Sequence, residues 1–308
     1  MIVNIHSATA QSHLQWNQYE FTPGSQVNES KGFAISQSGN VYTINFTQNS
    51  SSHWFTYRFF GYDQNGIKLW QYDNDSCFTN CQDIYKNIIP LNDGALFIGT
   101  YNDISGNYQI RIKRISDAGN LLWQKFWNYP RLSPLYPLVT KLDLQGNIAI
   151  GFSSFGAPDY SENFAFAKFD TLAGNELWHF ELADQSPVTG FTLDERIRSL
   201  DIDANGNLYF TGDAINPFAN VFKKYYFSIN PGGGLNYFGA TNFGPTINSN
   251  PDDLHLNQHG TLSHLTPFSG ITVLFGQVTV GGQFKWTAGL SHDSANFFPI
   301  QFVHDGYN

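Results

Sequence analysis

Charge is scarce in this sequence. Only 13% of its 308 residues are Asp, Glu, Lys or Arg, about half the share usual in soluble domains. Positive charge is the scarcer sign: 16 Lys and Arg stand against 25 Asp and Glu, a formal net charge of −9. Such a chain lacks the basic footprint that a phosphate backbone requires, and it has no polybasic segment for anionic lipid. Nucleic acid is therefore set aside as a partner. No stretch approaches the roughly 20 consecutive apolar residues of a membrane-spanning helix, so membrane insertion is not expected. Helical periodicity with capping residues is absent over any run of ten or more residues.

Sulfur is scarce too, with one Met and two Cys. A Cys-based zinc site would need His or Asp partners that do not stand nearby in the sequence. Cys77 and Cys81, in "DSCFTNC", lack the C-x-x-C spacing of thiol oxidoreductases. In an oxidising compartment they are expected to close a small disulfide ring, worth roughly 2 kcal/mol by loop entropy. In a reducing one they are two loop thiols. Ala8-Thr9-Ala10 before Gln11 has the A-x-A form of a signal-peptidase site. Residues 1–10 are read as the remnant of a secretory signal, with an ordinary polar terminus as the alternative. The expected setting is extracytoplasmic, and no cofactor is expected.

What the sequence has in quantity is aromatic residues and a repeat. Phe, Tyr and Trp make up 17% of the chain, which with the shortage of Lys, Glu and Met leans towards β-structure. The stretch "GNLLW" at 119–123 has close relatives in "GIKLW" at 66–70, "GNELW" at 174–178 and "GQFKW" at 282–286. "GGLNY" at 233–237 is a weaker copy, and "SHLQW" at 12–16 has lost the glycine. The closing aromatics Trp16, Trp70, Trp123, Trp178, Tyr237 and Trp286 are spaced by 54, 53, 55, 59 and 49 residues. A second mark runs in step. Turn glycines Gly39, Gly94, Gly146, Gly206 and Gly260 follow the preceding aromatic by 23, 24, 23, 28 and 23 residues. Repeats of roughly 40–50 residues indicate propellers or stacked arrays.

Each repeat divides into four strands. In residues 84–123, "IYKNIIPL" and "ALFIGTY" flank the turn at Gly94, and "YQIRIKRI" and "NLLWQKFW" flank "SDAG". Strict alternation at Tyr108, Ile110 and Ile112 reads as a half-buried strand, with Gln109, Arg111 and Lys113 towards water. A lone four-stranded sheet cannot cover both faces, and radial stacking covers each with the next. The fold expected is all-β: a β-propeller of four-stranded antiparallel blades over residues 11–308, with five complete repeats of about 54 residues. The repeats end at Trp70, Trp123, Trp178, Tyr237 and Trp286, and these aromatics are expected to be wedges between blades. Parts of a further, incomplete blade remain. The chain opens on a closing strand at Trp16 and ends on a first strand and its Asp305-Gly306 turn, so the sequence reads as truncated at its C-terminus.

"NDGALFIGTYNDISGNYQIRIKRISDAGNLLWQKFW" resembles the repeat of secreted bacterial β-propellers of the Bacteroidetes type. There an Asp-Gly turn, a Gly-ended strand, a Lys-bearing strand and a Gly-Asn-x-x-Trp close recur. That resemblance implies a fold and an extracytoplasmic setting. "AKFDTLAGNELW", 167–178, is similar to the tryptophan-docking motif of quinoprotein (PQQ-like) propellers, through Ala167, Asp170, Gly174 and Trp178. In that family the motif locks blades together. Its Ala-to-Asp spacing is one residue longer here, and the family's adjacent-cysteine disulfide is absent.

Residues that carry chemistry are few. Asp201, Asp203 and Asn205 before Gly206 open like a D-x-D-x-N-G calcium loop, but position twelve is Gly212, where that loop needs Glu. A plain hairpin turn is the competing reading. His255, His259 and His264 share one repeat without a spacing that forces them together. The expected function is a non-enzymatic secreted or cell-surface module binding protein or glycan. A carbohydrate-active hydrolase or lyase on a propeller scaffold is one alternative, and a structural spacer is another.

Overall fold

The structure is a computed structural model. It describes residues 25–49, 55–73, 82–102, 108–129, 132, 138–155, 162–182, 194–216, 221–243, 253–256, 261–268, 272–279 and 284–291. Among these, twenty strands follow one another in five groups of four. Blade 1 holds β1 (Ser25–Ile35), β2 (Val41–Asn49), β3 (Phe55–Tyr62) and β4 (Lys68–Asp73). Blade 2 holds β5 (Gln82–Leu91), β6 (Gly94–Asn102), β7 (Tyr108–Ser116) and β8 (Leu121–Asn128). Blade 3 holds β9 (Val139–Leu142), β10 (Ile148–Phe155), β11 (Glu162–Phe169) and β12 (Glu176–Leu182). Blade 4 holds β13 (Asp194–Ile202), β14 (Leu208–Asn216), β15 (Val221–Ile229) and β16 (Leu235–Phe243). Blade 5 holds β17 (Asp253–Leu256), β18 (Thr261–Phe268), β19 (Thr272–Thr279) and β20 (Phe284–Ser291).

Within each blade the strands pair antiparallel in chain order, and blades 3 and 4 share one parallel bridge, Glu162 with Asp194. The first strands of successive blades pack against one another, so they stand nearest the propeller axis. The fold is thus the all-β propeller of four-stranded blades that the repeat implies. The segment around Trp16, the pair Cys77 and Cys81, the Gly260 turn with His259, and Asp305-Gly306 lie outside the described residues.

The apolar surface is shared between blades. Phe59 and Trp70 of blade 1 pack with Tyr85, Phe97 and Ile115 of blade 2, and the Phe59 and Phe97 rings stack with centroids 4.3 Å apart. Blades 2 and 3 share a second cluster around Ile98, Ile112, Phe152 and Phe169, and blades 3 and 4 a third around Phe166, Phe210 and Phe227. This sharing corrects the reading of β7 as half-buried. Lys113 is only 2% exposed, because blade 1 covers that face and places Tyr72 5.2 Å from its ammonium.

The joint between blades explains the recurring five residues. The residue before each closing aromatic is skipped in the pairing register, giving a β-bulge at the same place in all five blades. The bulge turns Leu69, Leu122 and Leu177 outward, each 49% exposed, and re-aims the aromatic at the next blade. There it meets the glycine that opens the next copy of the motif. A Cβ on Gly119 would stand 2.6 Å from Trp70, one on Gly174 2.8 Å from Trp123, and one on Gly233 3.0 Å from Trp178. First and last letters of the motif are therefore seat and ring of successive joints.

A cation completes two of them. Arg114 lies opposite Trp123 in the register, and Lys168 opposite Trp178. Thr171 O accepts from Trp123 Nε1 at 3.1 Å and from Arg114 Nη1 at 2.9 Å. Pro231 O accepts from Trp178 Nε1 at 2.9 Å and from Lys168 Nζ at 3.5 Å. Each cation also pairs with the aspartate of its own blade's first hairpin: Arg114 with Asp93 at 2.7 Å, Lys168 with Asp143 at 2.6 Å. Blade 1 has Gly61 at that register position. There the Trp70 indole N–H has no acceptor among the described residues. Blade 1 instead ties to blade 2 through Tyr42 and Asn40, which both donate to Asp117 Oδ1.

Candidate functional site

Asp203 holds the acidic turn at 201–207 together. Asp203 Oδ1 accepts the backbone N–H of Asn205 at 2.9 Å and of Asn207 at 2.8 Å. Its Oδ2 accepts the Asn207 amide at 2.8 Å and the Tyr209 hydroxyl at 3.0 Å. Burial alone would raise this carboxyl, but those hydrogen bonds hold it below the ordinary carboxylate range. Burial and the same carboxylate push Tyr209 up to about 12. Asp201 turns elsewhere, to Lys141 Nζ of blade 3 and to the Ile202 N–H at 2.9 Å. The structure therefore does not bring Asp201 and Asp203 together, and Asn205 is exposed. Asp143 makes the same turn at 143–147. Asp203→Ala is expected to cost about 1–3 kcal/mol in denaturant melts run in chelator, from stranded turn donors. Equal stability in chelator, with a gap that opens only on adding calcium, would assign the carboxylate to an ion instead.

The register aligns His255 with Ser263 and His264 with Leu254, so the two histidines are not cross-strand partners on β17 and β18. Among the described residues no three His, Cys, Asp or Glu side chains are grouped to hold a metal ion.

The ionisable side chains that do converge are ones the sequence reading passed over. Aligned on the joint tryptophan, β8 carries Leu121, Gln124 and Phe126 where β12 carries Glu176, His179 and Glu181. The neighbours on β12, Trp178, Phe180 and Leu182, pack on the cluster shared with blade 4. Strand alternation then points His179 and Glu181 the other way, towards blade 2, and the bulge at Leu177 brings Glu176 to the same side. The signal was present in the sequence as a departure from the repeat. It went unread because "GNELW" matches the structural pattern so well.

Glu176, His179 and Glu181 of β12 form one seam between blades 2 and 3 with Asn163 of β11 and with Trp127 and Tyr129 of blade 2. Glu176 Oε2 accepts from Trp127 Nε1 at 2.6 Å, and its Oε1 lies 2.5 Å from His179 Nδ1. Glu181 Oε2 accepts the Tyr129 hydroxyl at 2.6 Å, and its Oε1 accepts the Asn163 amide at 2.6 Å. Ring centroids of Tyr129 and His179 are 6.0 Å apart, and Trp127 lies 5.1 Å from Tyr129 and 5.9 Å from His179. Phe152, 1% exposed, supports Trp127 and Tyr129 edge-on from below. The His179 side chain is 50% exposed, so the seam opens to water at the imidazole. Burial would raise Glu176, but hydrogen bonds from His179 and Trp127, with the nearby charge of Lys125, hold it below the ordinary range. An ionised carboxylate on Nδ1 fixes the imidazole orientation and leaves Nε2 as its exchanging nitrogen. The arrangement supplies two proton-exchanging groups, imidazole and phenol, each oriented by its own carboxylate, beside flat aromatic surface.

No family model and no curated protein matches this chain. Solved structures do. A chimera of ACO and RPE65 matches at 10% identity and a TM-score of 0.50, over 90% of this chain and 64% of that one. A mutant of the apocarotenoid oxygenase (ACO) of Synechocystis matches at 10% identity and a TM-score of 0.50, over 87% and 62%. The Dos1 propeller matches at 13% identity and a TM-score of 0.51, over 87% and 59%. The chain spans less than two thirds of the length of these structures. At such identities the likeness shows the fold. It also corrects the expectation of a non-enzymatic binding module: oxygenases are among the solved structures that this fold matches.

Proposed function

We propose that this chain is a carbohydrate-active enzyme on a propeller scaffold, with its chemistry at the seam between blades 2 and 3. One observation carries the reading. Blade 3 alone writes Glu176, His179 and Glu181 into its outer strand, and these side chains meet Trp127 and Tyr129 of blade 2 in paired, carboxylate-oriented geometry. Flat aromatic rings beside acid–base groups suit a sugar, whose faces are apolar and whose edges are hydroxyls. The repeat grammar shared with secreted bacterial propellers supports an extracytoplasmic setting, where polymeric glycans are met.

The test is release of reducing ends from a panel of neutral and acidic polysaccharides by the whole chain. His179→Ala is expected to lower kcat/KM about 10²–10⁴-fold, the range for a lost acid–base group. An unchanged rate in that variant, or no release from any polysaccharide, would overturn the assignment.

A further inference from the structure

The seam also discriminates between the two ways of cutting a glycan. Resting on the reading above, we infer that it cleaves uronic-acid polysaccharides by β-elimination, with His179 as base and Tyr129 as acid. Hydrolysis by the usual route needs one carboxylic acid to protonate the leaving oxygen and a second carboxylate as base or nucleophile. Neither glutamate here is placed to donate a proton. Both oxygens of Glu176 are engaged, by Trp127 and His179, and both oxygens of Glu181 accept, from Tyr129 and Asn163. The groups with a proton to exchange are the imidazole and the phenol, whose ring centroids stand 6.0 Å apart beside the water-exposed edge of His179. The two rings touch edge to face, so a sugar laid across them meets both groups from one side, its C5 hydrogen at one and its C4 oxygen at the other.

Substrate class follows from the step. A C5 proton can be removed by an imidazole only when a carboxylate on C5 takes up the developing charge, which a uronic acid has and a neutral hexose lacks. That carboxylate needs a cation. Lys125 supplies it: alternation on β8 sets it between Trp123 and Trp127 on the face turned to blade 3. In the step, His179 Nε2 takes the C5 proton and the C5–H electron pair forms the C4–C5 double bond. The C4–O bond breaks, and the leaving oxygen replaces Glu181 as acceptor of the Tyr129 proton. Solvent then removes the proton from His179 and returns one to Tyr129. No oxidant, reductant or co-substrate enters. Glu176 and Glu181 are positioning residues.

The products distinguish the inference from its parent. Elimination leaves a double bond conjugated to the carboxylate, which absorbs in the ultraviolet, and hydrolysis leaves none. The whole chain is incubated with polygalacturonate, alginate and chondroitin, and with xylan as a neutral control. Reducing ends and ultraviolet absorbance are followed together. The expected result is equal molar appearance of both from a uronide and neither from xylan. Reducing ends without absorbance would overturn the elimination and leave a carbohydrate-active enzyme standing. Absence of both from every polymer would overturn both readings. Tyr129→Phe keeps the ring on Phe152 and removes only the hydroxyl, so a kcat about 10²–10⁴-fold lower at an unchanged melting temperature is expected. Wild-type kcat in that variant would remove Tyr129 from the step.

Discussion

Lys168→Met is expected to destabilise the protein by about 3–5 kcal/mol, because it strands a buried carboxylate. The side chains of Lys168 and Asp143 are 4% and 0% exposed and meet at 2.6 Å. Removing the ammonium leaves Asp143 charged with its turn amides as its only compensation, and withdraws the Nζ contact to Pro231 O. Lys168→Met combined with Asp143→Asn is expected to recover most of the loss, since no isolated charge then remains and the amide oxygen still accepts from the turn. The pair also sets an acid limit. Burial would raise Asp143, but hydrogen bonds from Lys168 and Asn147 and the ammonium charge win, and the carboxyl sits below its ordinary value. A depressed folded value means the contribution is complete above the unfolded value of about 3.9 and is lost as pH falls through the folded one. Urea melts from pH 7 down to pH 2 would show this as a fall in stability beginning near pH 4 and shrinking in the double variant. A Lys168→Met loss under 1 kcal/mol at pH 7 would show that the joint does not depend on the pair.

The second expected result separates a seat from a turn. Gly174 and Gly146 share the left-handed conformation, with φ of +70° and +79°. A methyl on Gly146 would meet only Thr171 Oγ1, at 4.0 Å, whereas one on Gly174 would meet the Trp123 ring at 2.8 Å. Gly146→Ala is expected to cost about 1–2 kcal/mol, the backbone penalty alone. Gly174→Ala adds overpacking of about 1–3 kcal/mol and so totals about 2–5 kcal/mol. In Trp123→Ala, itself expected to cost about 3–5 kcal/mol, the excess penalty of Gly174→Ala should vanish, giving a coupling of about 1–3 kcal/mol in the cycle. Equal losses at the two glycines would mean that Trp123 does not rest on Gly174.

Much of this fold is legible in the letters. Gly39, Gly94, Gly146 and Gly206 all take positive φ in the hairpins the spacing marks, and the closing aromatics Trp70, Trp123 and Trp178 lie between blades. Legible too, in part, was the cation: a Lys-bearing strand belongs to the repeat. Its partners were not, because Asp143 stands 25 residues from Lys168 and meets it only when the strands of the blade pair, and Pro231 stands 63 residues away and meets it only once blades stack. Solvent exposure failed for the same reason. Alternation in β7 reports that one face is apolar, and cannot report that a neighbouring sheet will cover the other over Lys113. The candidate site was invisible to motif reading since its groups come from two repeats. Trp127 to Glu176 is a separation of 49 residues, and no short pattern spans it. Comparison of each repeat with the others, position by position, would have found it.

The ring-and-seat joint has a direction. Each of the three joints seen, Trp70 on Gly119, Trp123 on Gly174 and Trp178 on Gly233, sets an indole of one blade on the bare backbone of the next, so the contact between neighbours is heterologous rather than self-complementary. Two copies of such a unit cannot face each other; they can only queue. A unit duplicated within the gene therefore arrives with the correct polarity and needs no new surface to dock. The same polarity makes the boundary of a copy consequential. A duplication cut between the glycine and the tryptophan of one motif still yields a matched ring and seat at each junction. One that drops either letter leaves a socket without its plug.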